Sequence, residues 1–421
     1  MIQFLRSLLA TAALLVMAAA FAQPVEIVYW QYDYATRIDA MDQLIERFEA
    51  ENPDITVRQE TFPYDAYQQQ VAASLPAGQG PDVIQLFYGW LPTWQRAGYV
   101  EPLPEQYFDT AELDEVFVPM AQAGKINGQY YGLPTAVRSL ALFYNADMLR
   151  EAGYEEPPAT WDEFIEIAKA LTEKRGPRFT RVGYGFAPTG QDHHLVREVL
   201  TRQFGTPPYN EDLTEVLYDS PEGLAAFEFY TSWATEHEIG VTSFVPGTDG
   251  YRNGFIQLEN IAMIIDGSFA IGSVENGAQF DWRVAELPVL EEGGVKANFG
   301  SYWMNGLTPN AFEDERTLEA AAKFLDFVTQ PESMELWLEV VGELPARQAM
   351  VDDSELASDP VYGPFIRSLA YATATRFVDE TAQRDLMVRA MDRVILEGVD
   401  PAVAWEEAAQ ADQALLDQFS R

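Results

Sequence analysis

The sequence predicts an α/β protein of two domains, in which each sheet is flanked by helices. Its 421 residues exceed what one compact hydrophobic core accommodates, so we expect the chain to divide. Segments with strand-like and helix-like hydrophobic periods alternate from residue 25 onward. Because parallel strands are joined by crossover connections, usually helices, this alternation predicts parallel or mixed sheets.

The alternation is clearest in the first part of the chain. Strand-like apolar runs are separated by segments whose apolar residues recur three or four apart. Asn52 and Pro53 end the first helix, because proline lacks the backbone donor that a continuing helix needs. The predicted order is strand 25–30, helix 38–48, strand 55–62, helix 67–75 and strand 82–87.

The middle of the chain repeats this pattern around a helix with a clear start. Thr160 and Glu163 match a capping box, in which each side chain accepts a hydrogen bond from the backbone amide of the other residue. Phe164 and Leu171 then recur on one face, and Gly176 is predicted to end the helix. The predicted strands around it are 140–144, 261–265 and 282–285.

From Thr317 onward the chain is predicted to be mostly helical. Apolar stripes at helical spacing run through 321–328 and 387–394. Asp400 and Pro401 open a last helix, since Pro is favoured at the first helical position. No Gly/Ser-rich or Pro-rich linker divides the chain, so we expect two domains joined by several crossovers rather than by one tether.

Residues 1–22 have the features of a cleaved export signal. Arg6 supplies the positive charge, 8–20 is apolar, and Ala20 and Ala22 place small residues where signal peptidase cuts. The apolar run is shorter than the roughly 20 residues of a membrane-spanning helix. There is no cysteine for a lipid anchor. We therefore expect a mature chain that begins at Gln23 and is periplasmic or otherwise extracytoplasmic.

Composition and motifs exclude several classes of function. The formal net charge of −39 opposes binding to nucleic acids and anionic lipids, which needs clustered Lys and Arg. Without cysteine there is no disulfide, thiolate metal site or cysteine nucleophile. Neither a phosphate-binding Gly-rich loop nor a G-x-S-x-G elbow is present. We expect no cofactor.

Histidines and carboxylates give no firm sign of catalysis. The histidines are His193, His194 and His237, and the adjacent pair would point in different directions on a strand or a helix, which disfavours a metal site. Glycoside cleavage needs two carboxylates, but 66 acidic residues produce pairs throughout the chain. A glycoside-cleaving enzyme is therefore neither indicated nor excluded.

Aromatic and polar residues gather directly after the first and third predicted strands. In open α/β sheets the ligand crevice lies beyond the carboxyl ends of the strands. A sugar suits such a site, because its C–H faces stack on aromatic rings while its hydroxyls need polar partners. The alternative, that these rings belong to the core, stays open at this point. The two groups are Trp30-Gln31-Tyr32-Asp33-Tyr34 and Tyr88-Gly89-Trp90.

Seven short segments, in a fixed order, carry a resemblance to a known family. They are FEAENPDI at 48–55, AGQGPDV at 77–83, GQYYGLP at 128–134, LFYN at 142–145, PATWDEF at 158–164, AMIIDG at 262–267 and GELPAR at 342–347. Together they resemble the extracellular solute-binding proteins of carbohydrate ABC importers, the family that contains maltose-binding protein. The resemblance covers nearly the whole chain after residue 22.

The resemblance implies a two-lobed periplasmic-binding-protein fold with a ligand cleft between the lobes and a hinge of several strands. It implies 23–135 in the first lobe, 136–285 in the second, 286–313 again in the first, and 314–421 as helices of the second. The crossings are then expected near 134–137, 284–288 and 309–315. Ligand would favour lobe closure, and the closed protein, a monomer, would deliver it to a membrane permease.

The resemblance also implies a set of ligand-binding positions. Arg138 stands where maltose-binding protein has an acidic residue that binds the sugar. An arginine at this position can donate hydrogen bonds to sugar hydroxyls, bind an anionic group of the ligand, or form a salt bridge across the hinge. Asp266 is placed either on the ligand or as a support for its loop. The implied positions are Tyr32, Tyr34, Tyr88, Gly89, Trp90, Arg138, Asp266, Phe269, Gly300, Tyr302 and Trp303.

Three functions follow from these observations, and the first is favoured. The chain binds a sugar or oligosaccharide for an ABC importer. As a variant, it binds an anionic sugar derivative, such as a phosphate or sulfonate, through Arg138. The remaining alternative is a secreted glycoside-cleaving enzyme. The sequence does not determine which sugar is bound.

Overall fold

Apart from two short two-stranded sheets, two large helix-covered sheets make up the protein, as a computed structural model of residues 24–242, 244–247 and 249–420 shows. Both sheets contain parallel and antiparallel pairs, which confirms the predicted α/β class. The predicted export signal, 1–22, lies outside the described residues. None of the described helices combines the length and the apolar character that crossing a membrane requires.

The strands of the described chain are numbered in sequence order. They are β1 Val25–Tyr32, β2 Ile55–Phe62, β3 Val83–Phe87, β4 Lys125–Ile126, β5 Gln129–Tyr130, β6 Leu133–Arg138, β7 Leu140–Asn145, β8 Glu173–Arg175, β9 Arg178–Tyr184, β10 Ile261–Gly267, β11 Trp282–Ala285, β12 Asn298–Phe299, β13 Ser301–Leu307, β14 Leu344–Pro345 and β15 Ala372–Thr373.

The α-helices of the described chain are numbered in the same way. They are α1 Ala35–Glu51, α2 Tyr64–Ser74, α3 Leu91–Arg96, α4 Thr110–Val116, α5 Ala146–Glu151, α6 Trp161–Leu171, α7 Thr201–Phe204, α8 Pro221–Thr235, α9 Gly250–Ile256, α10 Ile271–Gly277, α11 Glu315–Phe327, α12 Pro331–Val341, α13 Gln348–Val351, α14 Ser354–Ser358, α15 Gly363–Ser368, α16 Glu380–Ile395 and α17 Pro401–Phe419.

The first sheet has the strand order β14-β6-β13-β3-β1-β2 and forms the core of the first lobe. Strand β1 pairs in parallel with β2 and β3, whereas β13 runs antiparallel between β3 and β6. Helices α1 and α11 cover one face, where the Phe324 ring lies 5.2 Å from Phe48 and 5.7 Å from Tyr29. These contacts bury the apolar stripes of both helices.

The second sheet, in the order β11-β7-β10-β9-β8, forms the core of the second lobe. Strand β10 is parallel to β9 and antiparallel to β7. Helices α6 and α8 pack together beside it, with the ring of Trp233 5.2 Å from Trp161 and 5.0 Å from Phe164. Two π-helical turns, Pro188–Asp192 and Leu195–Leu200, follow β9 and lead to α7.

The start of α6 is as predicted, but its end is not. The Thr160 hydroxyl accepts from the Glu163 amide at 3.3 Å and the Glu163 carboxylate accepts from the Thr160 amide at 3.3 Å, so the capping box is confirmed. The helix ends at Leu171, ahead of Gly176. Gly176 instead takes a positive φ of 62° in the tight turn between β8 and β9.

The chain passes from one sheet to the other near Ser139, which separates β6 from β7. It returns between β11 and β13, and it crosses again between β14 and α15. Helix α15 packs on β7, where the rings of Phe365 and Phe143 are 5.7 Å apart. The first crossing therefore lies slightly after the predicted boundary at 135, since β6 extends to Arg138.

The predicted assignment of all of 314–421 to the second lobe needs correction. Helix α11 packs on β1 and β13, and α12 packs on α1 and β6, so both belong to the first lobe together with β14. The predicted crossing at 309–315 is therefore absent. Only the later helices join the second lobe, where the ring of Trp405 stacks on Phe227 of α8 at 4.6 Å.

The side chain of Asn298, in the segment by which the chain returns to the first lobe, is hydrogen-bonded to the backbone of Leu140 beside the first crossing. Its side-chain amide donates to the Leu140 carbonyl at 2.7 Å and accepts from the Leu140 amide at 2.9 Å. Both residues are buried. This side chain therefore joins the return segment to the start of β7.

Replacing Asn298 by Ala removes both hydrogen bonds and leaves buried backbone groups with fewer partners. We expect Asn298→Ala to lower the free energy of unfolding by about 1–3 kcal/mol, measured by urea unfolding. Asn276→Ala is the matched control, because that side chain is exposed and its amide donates to the Gly272 carbonyl of the same helix. A loss no larger than that of the control would contradict the role of Asn298.

Candidate functional site

A cavity of about 180 Å³ lies between the two lobes. Larger hollows of about 440, 490 and 860 Å³ are lined by segments of the second lobe. One of about 530 Å³ lies between residues 118–119 and 348–370 and has no aromatic ring in its lining. The walls of the interlobe cavity come from both lobes, and the part from the second lobe includes α16. Its lining comprises Tyr64, Phe87, Arg138, Thr189, Gly190, Gln191, His193, His194, Phe269, Phe299, Ser301, Trp303, Glu380 and Arg384.

Aromatic rings of the first lobe form one wall of this cavity, and Trp303 is their centre. Its ring lies 4.4 Å from Tyr32, 5.8 Å from Phe87 and, nearly perpendicular, 5.1 Å from Trp90. Tyr32 and Trp90 are buried behind Trp303, whereas Tyr34 is 38% exposed beside Tyr32. The packed rings hold Trp303 in place, so that its free surface faces the cavity.

Two arginines of the first lobe share one buried carboxylate beside the cavity. Arg37 of α1 forms an ion pair with Glu343 and also donates to the Tyr32 hydroxyl. Arg138, the last residue of β6, places Nε 3.5 Å from the same Glu343 oxygen. Trp337 Nε1 donates to the other oxygen at 2.9 Å. The salt bridge of Arg138 therefore lies within the first lobe and does not span the hinge.

The cluster of Arg37, Arg138 and Glu343 carries one more positive charge than negative. Burial opposes ionisation of Glu343, but the two guanidinium groups outweigh it and lower the pKa of its carboxyl. Burial lowers the pKa of Arg138; Glu343 counteracts this effect and Arg37 reinforces it. Burial raises the pKa of Tyr32 to about 12, so its hydroxyl stays protonated. The surplus positive charge favours oxygen atoms of a ligand.

Arg138 also faces the second lobe. Its guanidinium carbon lies 5.2 Å from the ring centre of Phe269, which follows β10. Arg252 of the second lobe lies 5.3 Å from the same ring. One arginine from each lobe thus contacts Phe269, and a cation–π contact of this kind contributes about 0.5–2 kcal/mol. Arg138 therefore connects the lobes at the cavity.

Asp266 supports this loop and does not line the cavity. Its fully buried carboxylate accepts from Arg252 Nε at 2.5 Å and from Arg252 Nη2 at 2.9 Å. The Tyr251 hydroxyl donates to it at 2.9 Å and the Gly267 amide at 2.8 Å. Of the two roles expected for Asp266, these contacts match the support of the loop that carries Phe269.

Several predicted ligand positions lie in the core instead. Tyr302 is fully buried, its hydroxyl donates to the Ala121 carbonyl at 3.0 Å, and its ring stacks on Tyr88 at 4.8 Å. Side chains alternate along β13, so Tyr302 points away from the face that carries Trp303. A Cβ at Gly89 would lie 2.6 Å from Phe87, and one at Gly300 would lie 2.6 Å from Met120.

The predicted set and the cavity lining therefore overlap only in part. Of the predicted positions, Arg138, Phe269 and Trp303 line the cavity. The sequence did not single out Glu380 and Arg384, although they stand four residues apart in α16 and their side chains come within 3.9 Å. Burial raises the pKa of Glu380, and the nearby Arg384 and Arg197 oppose this shift. An i,i+4 pair is too common to mark a site.

The adjacent histidines, considered above only as metal ligands, also line the cavity. In the described part of the chain, His193, His194 and Glu380 are the one group whose ligand atoms could surround an ion, all within 4.8 Å of one another. Burial lowers the pKa of both histidines, and Arg197 and Arg384 lower it further. Because these arginines repel a divalent cation, we assign no metal to the group.

Comparisons of sequence agree with the geometry. A family model described as bacterial extracellular solute-binding protein matches residues 43–363. The maltotriose-binding protein of Pyrococcus abyssi is 27% identical over 354 residues, which cover 82% of this chain and 72% of that protein.

Solved structures have a similar fold. A solute-binding protein of an ABC transporter from Thermotoga lettingae, bound with α-D-tagatose, has a TM-score of 0.77 and 24% identity, and the match covers 93% of this chain and 100% of that one. The GacH receptor of Streptomyces glaucescens, solved unliganded and with acarbose, has a TM-score of 0.79 and 21% identity. The match covers 94% of this chain and 99% of that one. These likenesses concern the fold.

Glu343 is the compensating charge for the buried Arg37 and the partly buried Arg138. We expect Glu343→Gln to lower the free energy of unfolding by about 3–5 kcal/mol, because it leaves both guanidinium groups without a counter-charge. Urea unfolding measures the change. Glu319→Gln, which breaks an exposed pair with Lys323, is the control and should cost less than about 1 kcal/mol. Equal losses in the two variants would contradict this account of the cluster.

Proposed function

The chain belongs to the bacterial extracellular solute-binding protein family, and from this premise we propose that it captures a sugar between its lobes for an ABC importer. The observation that carries the proposal is the make-up of the interlobe cavity. One wall includes the ring of Trp303, and the remainder includes hydrogen-bonding groups of Gln191, Ser301 and Arg138. A flat ring beside such groups complements a molecule with apolar C–H faces and many hydroxyls.

The relatives favour the same substrate class. The Pyrococcus abyssi relative is a maltotriose-binding protein. The two structural neighbours hold α-D-tagatose and acarbose. We infer that this chain likewise binds a mono- or oligosaccharide.

Capture requires that the lobes close around the sugar. The cavity is lined by Trp303 of the first lobe and Phe269 of the second, so a bound sugar contacts both walls only when they are close. Ligand then shifts the equilibrium toward the closed form by its differential affinity for the two forms. The closed protein presents both lobes together to the permease subunits of the importer.

The two alternative functions have less support. For the anionic variant, Glu343 neutralises part of the charge of Arg138, and the relatives reported above are named with sugars that carry no phosphate or sulfonate. Among the described residues that line the cavity, Glu380 is the one carboxylate, whereas glycoside cleavage uses two. We therefore propose a binding protein without catalytic activity.

We also propose that residues 1–22 direct export and are removed. The family is extracellular, which agrees with a location outside the cytoplasm. Residues 1–22 combine Arg6, an apolar run and Ala22 at the expected cut. The mature chain would then meet its sugar and its permease on the same side of the membrane.

We expect a sugar to stabilise the chain of residues 23–421 against heat. A ligand at a hundredfold excess over its Kd adds about 2.7 kcal/mol to the stability of the folded state. Melting curves with maltose, maltotriose, lactose, acarbose and D-tagatose test this, with glycerol as the control and recovery of unmodified sugar as a second readout. A shift with glycerol 3-phosphate alone would support the anionic alternative, and cleaved sugar would support the enzyme.

We expect Trp303→Ala to raise Kd by about thirtyfold or more, as for a buried aromatic anchor. The reason is the loss of the stacking surface. The sugar used is one that raises the melting temperature of the wild type. Tyr302→Phe is the matched control: it changes the neighbouring residue, which faces the core, and should leave Kd unchanged. Isothermal titration measures both. An unchanged Kd in Trp303→Ala would refute the stacking role.

A further inference from the structure

Three hydrogen-bond acceptors converge in the cavity, and we call them the acceptor cluster: His193, His194 and Glu380. One ligand atom from each lies within 4.8 Å of the others. All three residues are at least nine-tenths buried, being 2%, 7% and 6% exposed. His193 Nε2 and His194 Nδ1 are buried and have no hydrogen-bond partner within the protein.

The protonation state of His193 follows from its surroundings. Its Nδ1 lies 3.1 Å from the Pro188 carbonyl oxygen. Because a carbonyl only accepts, Nδ1 carries the proton and the neutral ring keeps its lone pair at Nε2. Burial lowers the pKa of His193, and Arg197 and Arg384 lower it further, so the ring is neutral near pH 7. His193 Nε2 is therefore an acceptor without a donor.

His194 is held beside it by stacking. Its ring lies 3.6 Å from Phe299, nearly parallel, and 3.9 Å from the ring of His193. Burial, His193, Arg197, Arg384 and Arg138 all lower the pKa of His194. The ring is neutral as well, so it has one accepting nitrogen and one donating nitrogen.

The acceptor cluster therefore calls for an occupant that donates hydrogen bonds and is not a cation. Buried acceptors without donors destabilise a folded protein. A metal ion could use the lone pairs, but Arg384 lies 3.9 Å from Glu380, and Arg138 and Arg197 act on the same histidines. Neutral hydroxyl groups satisfy the acceptors without a charge penalty, and adjacent hydroxyls of a sugar ring have a spacing that suits adjacent acceptors.

We propose that the acceptor cluster recognises adjacent hydroxyl groups of the bound sugar, with His193 Nε2 accepting from one and His194 from its neighbour. This inference rests on the proposed sugar-binding function and adds to it the chemistry by which sugars are selected. Sugars that keep both hydroxyls bind, and derivatives that lack one or carry a methyl group there are rejected, because the acceptor is left unpaired.

The test uses residues 23–421 and isothermal titration with the sugar of the panel above that has the lowest Kd, together with its monodeoxy derivatives. His194→Phe keeps the ring on Phe299 but removes both nitrogens, and His193→Leu removes the acceptor, whereas His193→Gln keeps a polar group near the Nε2 position. His237→Phe is the matched control, because His237 follows α8 and is outside the cavity lining. Circular dichroism and melting verify folding.

Support for the proposal requires two results together. His194→Phe and His193→Leu raise Kd for the parent sugar at least about tenfold, while His193→Gln retains part of the affinity and His237→Phe leaves Kd unchanged. For the wild type, one monodeoxy derivative has a Kd at least about tenfold higher than that of the parent sugar. For His194→Phe or His193→Leu, the same derivative and the parent sugar have equal Kd values. This coupling identifies the recognised hydroxyl, and a merely structural role would not produce it.

Other outcomes overturn the proposal. Unchanged affinity in His194→Phe and His193→Leu refutes the cluster but leaves the sugar-binding function standing. If no sugar of the panel binds the wild type, both fail. If the variants do not fold, equal affinity of the wild type for every monodeoxy derivative and the parent refutes the cluster. Stabilisation of the wild type, but not of His194→Phe, by zinc chloride without sugar shows a metal site instead.

Discussion

One buried carboxylate, Glu343, balances the arginines that the first lobe places beside the interlobe cavity. It compensates two guanidinium groups, those of Arg37 and Arg138, and desolvated charges are tolerated only with such a partner. Glu343 follows α12, Arg37 lies in α1 and Arg138 ends β6. The ion pairs of this one carboxylate thus connect three separate segments of the first lobe. It also fixes the direction of Arg138, whose guanidinium reaches the ring of Phe269 in the second lobe.

The two walls of the cavity are rigid for different reasons. Packed aromatic rings hold Trp303 on the first lobe, whereas charge-assisted hydrogen bonds from Arg252 to Asp266 hold the loop of Phe269 on the second. Between them the chain crosses repeatedly, with Asn298 bonded to the backbone of Leu140. The proposed closure of the lobes would therefore bend the chain at these crossings and leave the packing within each wall unchanged.

Local patterns predicted the elements, but they did not predict which elements meet. Hydrophobic periods and the capping box of Thr160 depend on neighbours in sequence, and the strands and the start of α6 agree with them. The stripe around Phe324 shows that α11 has a buried face, but it does not show which sheet covers that face. The resemblance placed all of 314–421 in the second lobe, and for 314–345 the packing of α11, α12 and β14 contradicts that placement.

The same limit applies to the site. Alternation along β13 predicts that Tyr302 and Trp303 face opposite sides, but not which side is the cavity. The histidine pair depends on two π-helical turns, which bring the rings within 3.9 Å, and no propensity predicts such turns. Arg138, Phe269 and Trp303 were identified because the family resemblance supplied tertiary information that the hydrophobic periodicity of the sequence does not contain.

The position of β13 has a consequence for the newly made chain. This strand sits between β3 and β6, yet it is synthesised long after both, because residues of the second lobe intervene. Until residue 307 has emerged from the ribosome, the partner edges of β3 and β6 have no strand to pair with. Open edges invite association between chains. The net charge of −39, distributed along the polypeptide, makes nascent chains repel one another during that interval.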